Sequence, residues 1–198
     1  WIGYLPGKRE SRRYIGEYVM NQNDIASGGK FPDTVAFGGW TMDDHDPRGI
    51  NTHEPPNIFH PAPSPFGIPY RSLYSKNIRN LFCAGRNISV THTAMSATRV
   101  MATCATIGQA VGTAAALTDA EPRKVDVKQL QQLLLEDGCF LPGFAMEPTE
   151  LMKNAEVPQV LINGLDRGEE NCWVGELGKP LDITFAEKSH IREIRILL

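Results

Sequence analysis

Read for polarity alone, the chain holds several stretches whose apolar residues recur with the period of a regular element. Phe31-Pro32-Asp33-Thr34-Val35-Ala36-Phe37-Gly38-Gly39-Trp40 combines β-favouring residues with glycine punctuation and predicts a strand. Asn80-Leu81-Phe82-Cys83-Ala84-Gly85 is a short apolar run closed by glycine, the form of a buried strand whose end admits a backbone or a ligand. Ser96 to Leu117 reads as one helix, and its residues from Ala102 to Ala116 are almost all small, so it can approach a neighbour closely. A second helix is better marked. Asp126 can cap it, Gln129 follows three residues on as in a capping box, Val127, Leu130 and Leu134 form a stripe, and Gly138 supplies the stop. Leu181–Phe185 and Ile194–Leu198 alternate and predict paired strands joined through Glu187-Lys188-Ser189. Ser11–Tyr18 predicts a short strand or a turn.

Proline and charge change this picture in two ways. Seven of the fourteen prolines lie between Pro47 and Pro69, where Pro55-Pro56 and Pro61-Ala62-Pro63-Ser64-Pro65 work against helix and ladder pairing. The expectation is a long irregular loop that packs through Phe59, Phe66 and Tyr70. The formal charge is −3 and 41% of residues are hydrophobic, which gives a globular chain without the clustered Lys and Arg that nucleic acid or an anionic membrane surface requires. Arg99 at its start, Gln109 inside and only about 17 residues before Asp119 argue against a bilayer span for the small-residue helix. Cys83, Cys104, Cys139 and Cys172 are spaced for neither a zinc site nor a disulfide framework, and read as buried free thiols. The start at Trp1 and the end inside an alternation read as a piece of a longer protein, so no cellular address can be taken from it.

Candidate chemistry gathers in two places. The first is the strand, loop and helix of Asn80 to Leu117, where unpaired amides and the positive end of a helix dipole would favour an anionic or electron-rich ligand. The second is Trp40-Thr41-Met42-Asp43-Asp44-His45-Asp46 with Tyr70-Arg71. His45 among three aspartates fits a catalytic proton donor or acceptor. The same aspartates equally fit a solvated turn. Arg71 fits a bidentate clamp on a substrate carboxylate, or a partner for Glu54 or an aspartate. His92 fits a hydrogen-bonded loop histidine as well as a base. A metal site is not expected, since His53, the other nearby imidazole, lies eight residues from His45 in the proline-rich loop. No GxSxG elbow supports a hydrolase.

The run IPYRSLYSKNIRNLFCAGRNISVTHTAMSATRVMATCATIGQAVGTAAAL, Ile68 to Leu117, resembles the C-terminal flavin-contacting segment of the FAD-dependent oxidoreductases found widely in bacteria, relatives of the fumarate reductase and glutathione reductase flavoproteins. Gly7 to Tyr18 is similar to the arginine-rich segment of the same family. The resemblance implies FAD as cofactor, hydride transfer from a small-molecule substrate to the flavin, and cofactor contacts from named residues. Gly85 would stand where a Cβ would intrude on the ribityl and pyrophosphate region. Arg86, Asn87 and Ser89 would line that approach, and a helix start at Ser96, Ala97, Thr98, Arg99 and Val100 would face the pyrimidine edge of the isoalloxazine. Against the family pattern, no GxGxxG fingerprint follows a strand here, so the adenosine half of the site is expected from a segment other than these residues.

The expected fold is α/β, a partial flavoprotein domain without its N-terminal Rossmann unit over residues 1–150, followed by a β-rich segment over 151–198. That tail is similar to the opening of galactose-binding-like, discoidin-type sandwiches, through Val160–Gly164 and Asn171–Val174. A sugar-related substrate follows from that likeness. So does the competing reading of the chain as a carbohydrate-binding or docking module with a non-catalytic α/β remnant.

Overall fold

The computed structural model describes residues 12–46 and 48–194 of the 198. Its centre is β1, Thr34–Gly38, which is buried along almost its whole length and pairs antiparallel with β4, Phe66–Pro69. The register places Ala36 opposite Ile68 and Gly38 opposite Phe66. Backbones meet closely at the edge of this pair, where a Cβ on Gly29 would strike the main chain of Gly67. Gly29 also sits at φ +57°, so both space and backbone conformation require glycine there. Before β1, a short helix α1, Gln22–Ala26, begins with a reciprocal capping box between Asn21 and Asp24, a signal present in the sequence and overlooked.

Residues 48–69 are more ordered than their prolines suggest. Besides β4 they contain β3, Asn57–His60, which pairs antiparallel with β2, Met42–His45. The prolines stand mostly between the strands rather than inside them, and Pro69 ends β4, so no ladder donor is lost from a strand interior. Phe66 and Tyr70 are buried, whereas Phe59 is 60% exposed.

Two expected elements are corrected. Asn80–Gly85 is not a strand. Only Phe82 forms a bridge, to Tyr74, before a turn closed by Asn87 N–H on the Ala84 carbonyl at 3.2 Å ends the run. The helix expected over Ser96–Leu117 is two helices, α2, His92–Thr98, and α3, Met101–Ala116. Between them Val100 is extended, at φ −73° and ψ 149°. Thr98 and Val100 are β-branched and favour a helix interior least where a tertiary contact competes. α4, Val127–Glu136, follows the expected pattern, with Asp126 accepting from the amides of Lys128 and Gln129, Leu130 and Leu134 buried, and Gly138 at φ +78° beyond its end.

Both α3 and α4 pack on β1. Gln131 of α4 is buried and donates through Nε2 to the carbonyls of Pro32 and Thr34, at 3.0 and 2.9 Å. The fold is therefore a mixed arrangement of helices and small antiparallel sheets, and among the described residues no helix is long and apolar enough to cross a membrane.

Chain contacts divide the protein into two units, Trp1–Pro142 and Gly143–Leu198. In the second, α5, Glu150–Lys153, precedes β5, Ala155–Glu156, which pairs with β6, Thr184–Phe185. β6 is what remains of the expected strand Leu181–Phe185, and among the described residues its partner is β5. Alternation fixes which residues share a face, not which strand they pair with. Residues 195–198, like 1–11 with the first five residues of the arginine-rich segment Gly7–Tyr18, lie outside the described residues. None of the described residues of this unit is buried. The thiols are also more varied than expected: Cys83 is buried, Cys104 and Cys139 are half-buried and Cys172 is exposed.

Two predictions follow from this core. Phe66→Ala should cost about 3–5 kcal/mol in urea unfolding, and Phe59→Ala should stay within about 0.5 kcal/mol. The second concerns alkaline pH. The Tyr70 hydroxyl donates to the Pro122 carbonyl at 2.7 Å, and burial, then the neighbouring Tyr74, hold its ionisation well above the usual tyrosine range. Burial likewise pushes the Cys83 thiol up. Groups raised in the fold stabilise it fully below their ordinary values and cease to do so as pH rises through the folded ones. The urea midpoint should therefore fall above about pH 9–10, and Tyr70→Phe should flatten that fall.

Candidate functional site

Three segments of the first unit carry the polar side chains of interest: the loop Gly85–Ser89, the junction between α2 and α3, and the hairpin β2–β3. Gly85 sits at φ +63°, and a Cβ there would meet no atom of the chain within 4 Å. Its glycine is required by the left-handed turn rather than by a crowded neighbour. Arg86 and Asn87 are exposed beside it. Arg86 acts on Cys104 of α3, whose thiol is pushed up by burial and drawn down by that guanidinium. Ser89 is fully buried, its N–H and C=O bonded to the Ser72 carbonyl and the Met20 amide, and its hydroxyl has no hydrogen-bond partner among the described residues.

The junction differs from the expected helix start. Ser96, Ala97 and Thr98 lie inside α2 and are 5%, 0% and 1% exposed. The hydroxyls of Ser96 and Thr98 turn back onto the carbonyls of Thr93 and Met95. These three side chains pack the core and offer no surface to a ligand. The available helix start is one turn later, where Val100 precedes α3 and, being apolar, supplies no side-chain cap. Met101 is 89% exposed there. Arg99 ends α2 and reaches across to donate to the Asp43 carbonyl at 3.2 Å.

The three aspartates form no common solvated turn, because two of them belong to β2. Asp44 pairs with His92 at 2.6 Å. Asp46 accepts from the Arg48 side chain and amide and from Thr52, which hold its carboxyl far below the usual range. Asp43 accepts from Asn57 Nδ2 at 3.2 Å and lies 3.7 Å from His45 Nε2 and 3.9 Å from the Arg99 guanidinium. Asn57 stands directly opposite His45 in the ladder. That pairing spans a proline-rich loop, so sequence spacing gave no hint of it. Among the described residues no group of three or more His, Cys, Asp and Glu is placed to hold a metal ion.

Arg71 is engaged within the fold. Its Nε donates to Asp33 Oδ2 at 2.9 Å and its terminal nitrogen to Oδ1 at 3.2 Å, while the Arg71 amide also binds Oδ2. The guanidinium lies 5.2 Å from the centre of the Tyr18 ring. The carboxylate in its fork is Asp33, a residue that sequence reasoning passed over because it stands 38 positions away.

Compared with known proteins, the chain matches the model of the FAD dependent oxidoreductase family over residues 1–134. No curated protein and no solved structure matches it.

The placement of Arg71 separates two roles. Arg71→Ala removes the partner of a carboxylate that is only 10% exposed, and should lower stability in urea by about 1–2 kcal/mol after allowance for solvent screening of the half-exposed guanidinium. A side chain kept only to clamp substrate would leave stability unmoved.

Proposed function

The chain belongs to the FAD-dependent oxidoreductase family, and on that premise we propose that residues 12–142 form the side of the site that faces the isoalloxazine and the substrate. FAD is the cofactor, and an oxidoreductase of this kind acts on a small-molecule substrate. The residues present suit such a group. α3 is a sixteen-residue helix whose start has no side-chain cap and whose first two residues are exposed, so its leading amides and positive dipole end are available to the electron-rich pyrimidine edge of a flavin. That uncapped start is the observation that carries the reading. The open turn at Gly85, flanked by Arg86 and Asn87, gives cofactor atoms room to approach.

When bound, FAD supplies a two-electron acceptor for a hydride from a substrate carbon. The protein's share is orientation and charge. Arg99 and Val100 place a guanidinium and a helix terminus at the cofactor side, while the β2–β3 hairpin presents His45 to take up the substrate's proton. Arg71, locked on Asp33, stiffens the start of the segment that leads into Tyr74 and Cys83. No GxGxxG occurs in the chain, so residues beyond these hold the adenosine end. For residues 151–198, a galactose-binding-like role rests on the sequence likeness alone.

One substitution sets function against stability. Val100→Asp gives α3 the cap it lacks and should raise stability by about 0.5–2 kcal/mol. The same carboxylate occupies the first-turn amides and repels an electron-rich flavin edge, so flavin affinity of the full-length protein should fall at least tenfold, or about 1.4 kcal/mol. Urea unfolding and flavin titration read the two effects separately. Unchanged flavin affinity, or a full-length protein without the visible flavin absorption, would overturn the reading.

A further inference from the structure

Resting on that reading, one carboxylate joins the substrate side of the site to its cofactor side. We infer that His45 accepts the substrate's proton at Nε2 and that Asp43 is the positioning residue that holds the resulting imidazolium. The tautomer follows from the partner of the other ring nitrogen. His45 Nδ1 lies 3.3 Å from the Pro56 carbonyl oxygen, which can only accept, so Nδ1 carries the ring proton and Nε2 keeps the lone pair in the neutral ring. Nε2 stands 3.7 Å from Asp43 Oδ2, beyond hydrogen-bond distance, as expected where both atoms carry lone pairs. Gaining a proton turns Nε2 into a donor beside an anion.

Asp43 is held for this task from two other elements. Its Oδ1 accepts from Asn57 of β3, and its carbonyl accepts from Arg99 at the α2–α3 junction. Oδ2 is left between the imidazole and the Arg99 guanidinium, at 3.7 and 3.9 Å. The two other aspartates of the run are committed elsewhere, to His92 and to Arg48. The Asp43 side chain is 18% exposed and that of His45 37%, so the carboxylate is sheltered while the imidazole remains open to a small molecule. The step balances as an alcohol or amine oxidation. The substrate C–H bond breaks with its electron pair going as hydride to oxidised FAD, the O–H or N–H proton passes to His45 Nε2, and the C=O or C=N bond forms.

The test uses the full-length flavoprotein with ¹⁵N-labelled histidine. Long-range ¹H–¹⁵N NMR of the neutral ring should show His45 protonated at Nδ1 and bare at Nε2, and diethyl pyrocarbonate should modify it at Nε2. In acid, a low-field Nε2–H signal should emerge, disappear in Asp43→Asn and return in Asp43→Glu. Should Asp43→Asn fail to fold, Asn57→Ala frees Oδ1 and must weaken the same signal. A neutral ring protonated at Nε2, or a low-field signal that survives Asp43→Asn, overturns the inference in a protein that is still yellow. A colourless full-length protein overturns the flavin reading instead.

Discussion

A buried strand with an open edge must have its main-chain carbonyls met by something, and that requirement organises the first unit. β1 is paired with β4 on one side, and the carbonyls of Pro32 and Thr34 are met by the single amide of Gln131. Gln131 is buried between Leu130 and Leu134 of the α4 stripe, so the polar bond and the apolar packing fix α4 in one position together. Thr106 of α3 reaches the Phe37 carbonyl at 3.4 Å in a similar way. Two helices are thereby held on one short strand by side chains that a purely apolar interface would not orient.

The placement of α3 has a consequence for chemistry. With Ile107, Ala110 and Ala114 buried, the helix cannot rotate, and its uncapped N-terminus is held at the junction with α2. α2 in turn carries both His92 and Arg99, seven residues and two turns apart, and both reach the adjacent aspartates of β2. The hairpin and the helix start are therefore one assembly. Asp43 lies between His45 of the hairpin and Arg99 at the helix junction.

The sequence was most legible where a local rule was sufficient. α4 was readable from its cap, stripe and terminal glycine, because each signal lies within one turn of the structure it sets. β1 was readable from composition. The break at Arg99–Val100 was not, because helix propensity there is permissive and the Arg99 contact with β2 comes from 56 residues away. The same distance problem hid the pairing of His45 with Asn57 and the locking of Arg71 by Asp33. The family resemblance implies Ser96, Ala97 and Thr98 as cofactor contacts, and their side chains lie buried in α2.

By itself, then, the sequence determined the helical stripe of α4, a strand within Phe31–Trp40 and, by resemblance, the flavin family. These depend on residue chemistry and neighbours within a few positions. Tertiary structure decided which aspartate serves which partner, where the usable helix terminus lies and which arginine remains available. Those choices follow from packing between segments 38 to 56 residues apart, where one side chain's hydrogen bond excludes another's and no local pattern records the outcome.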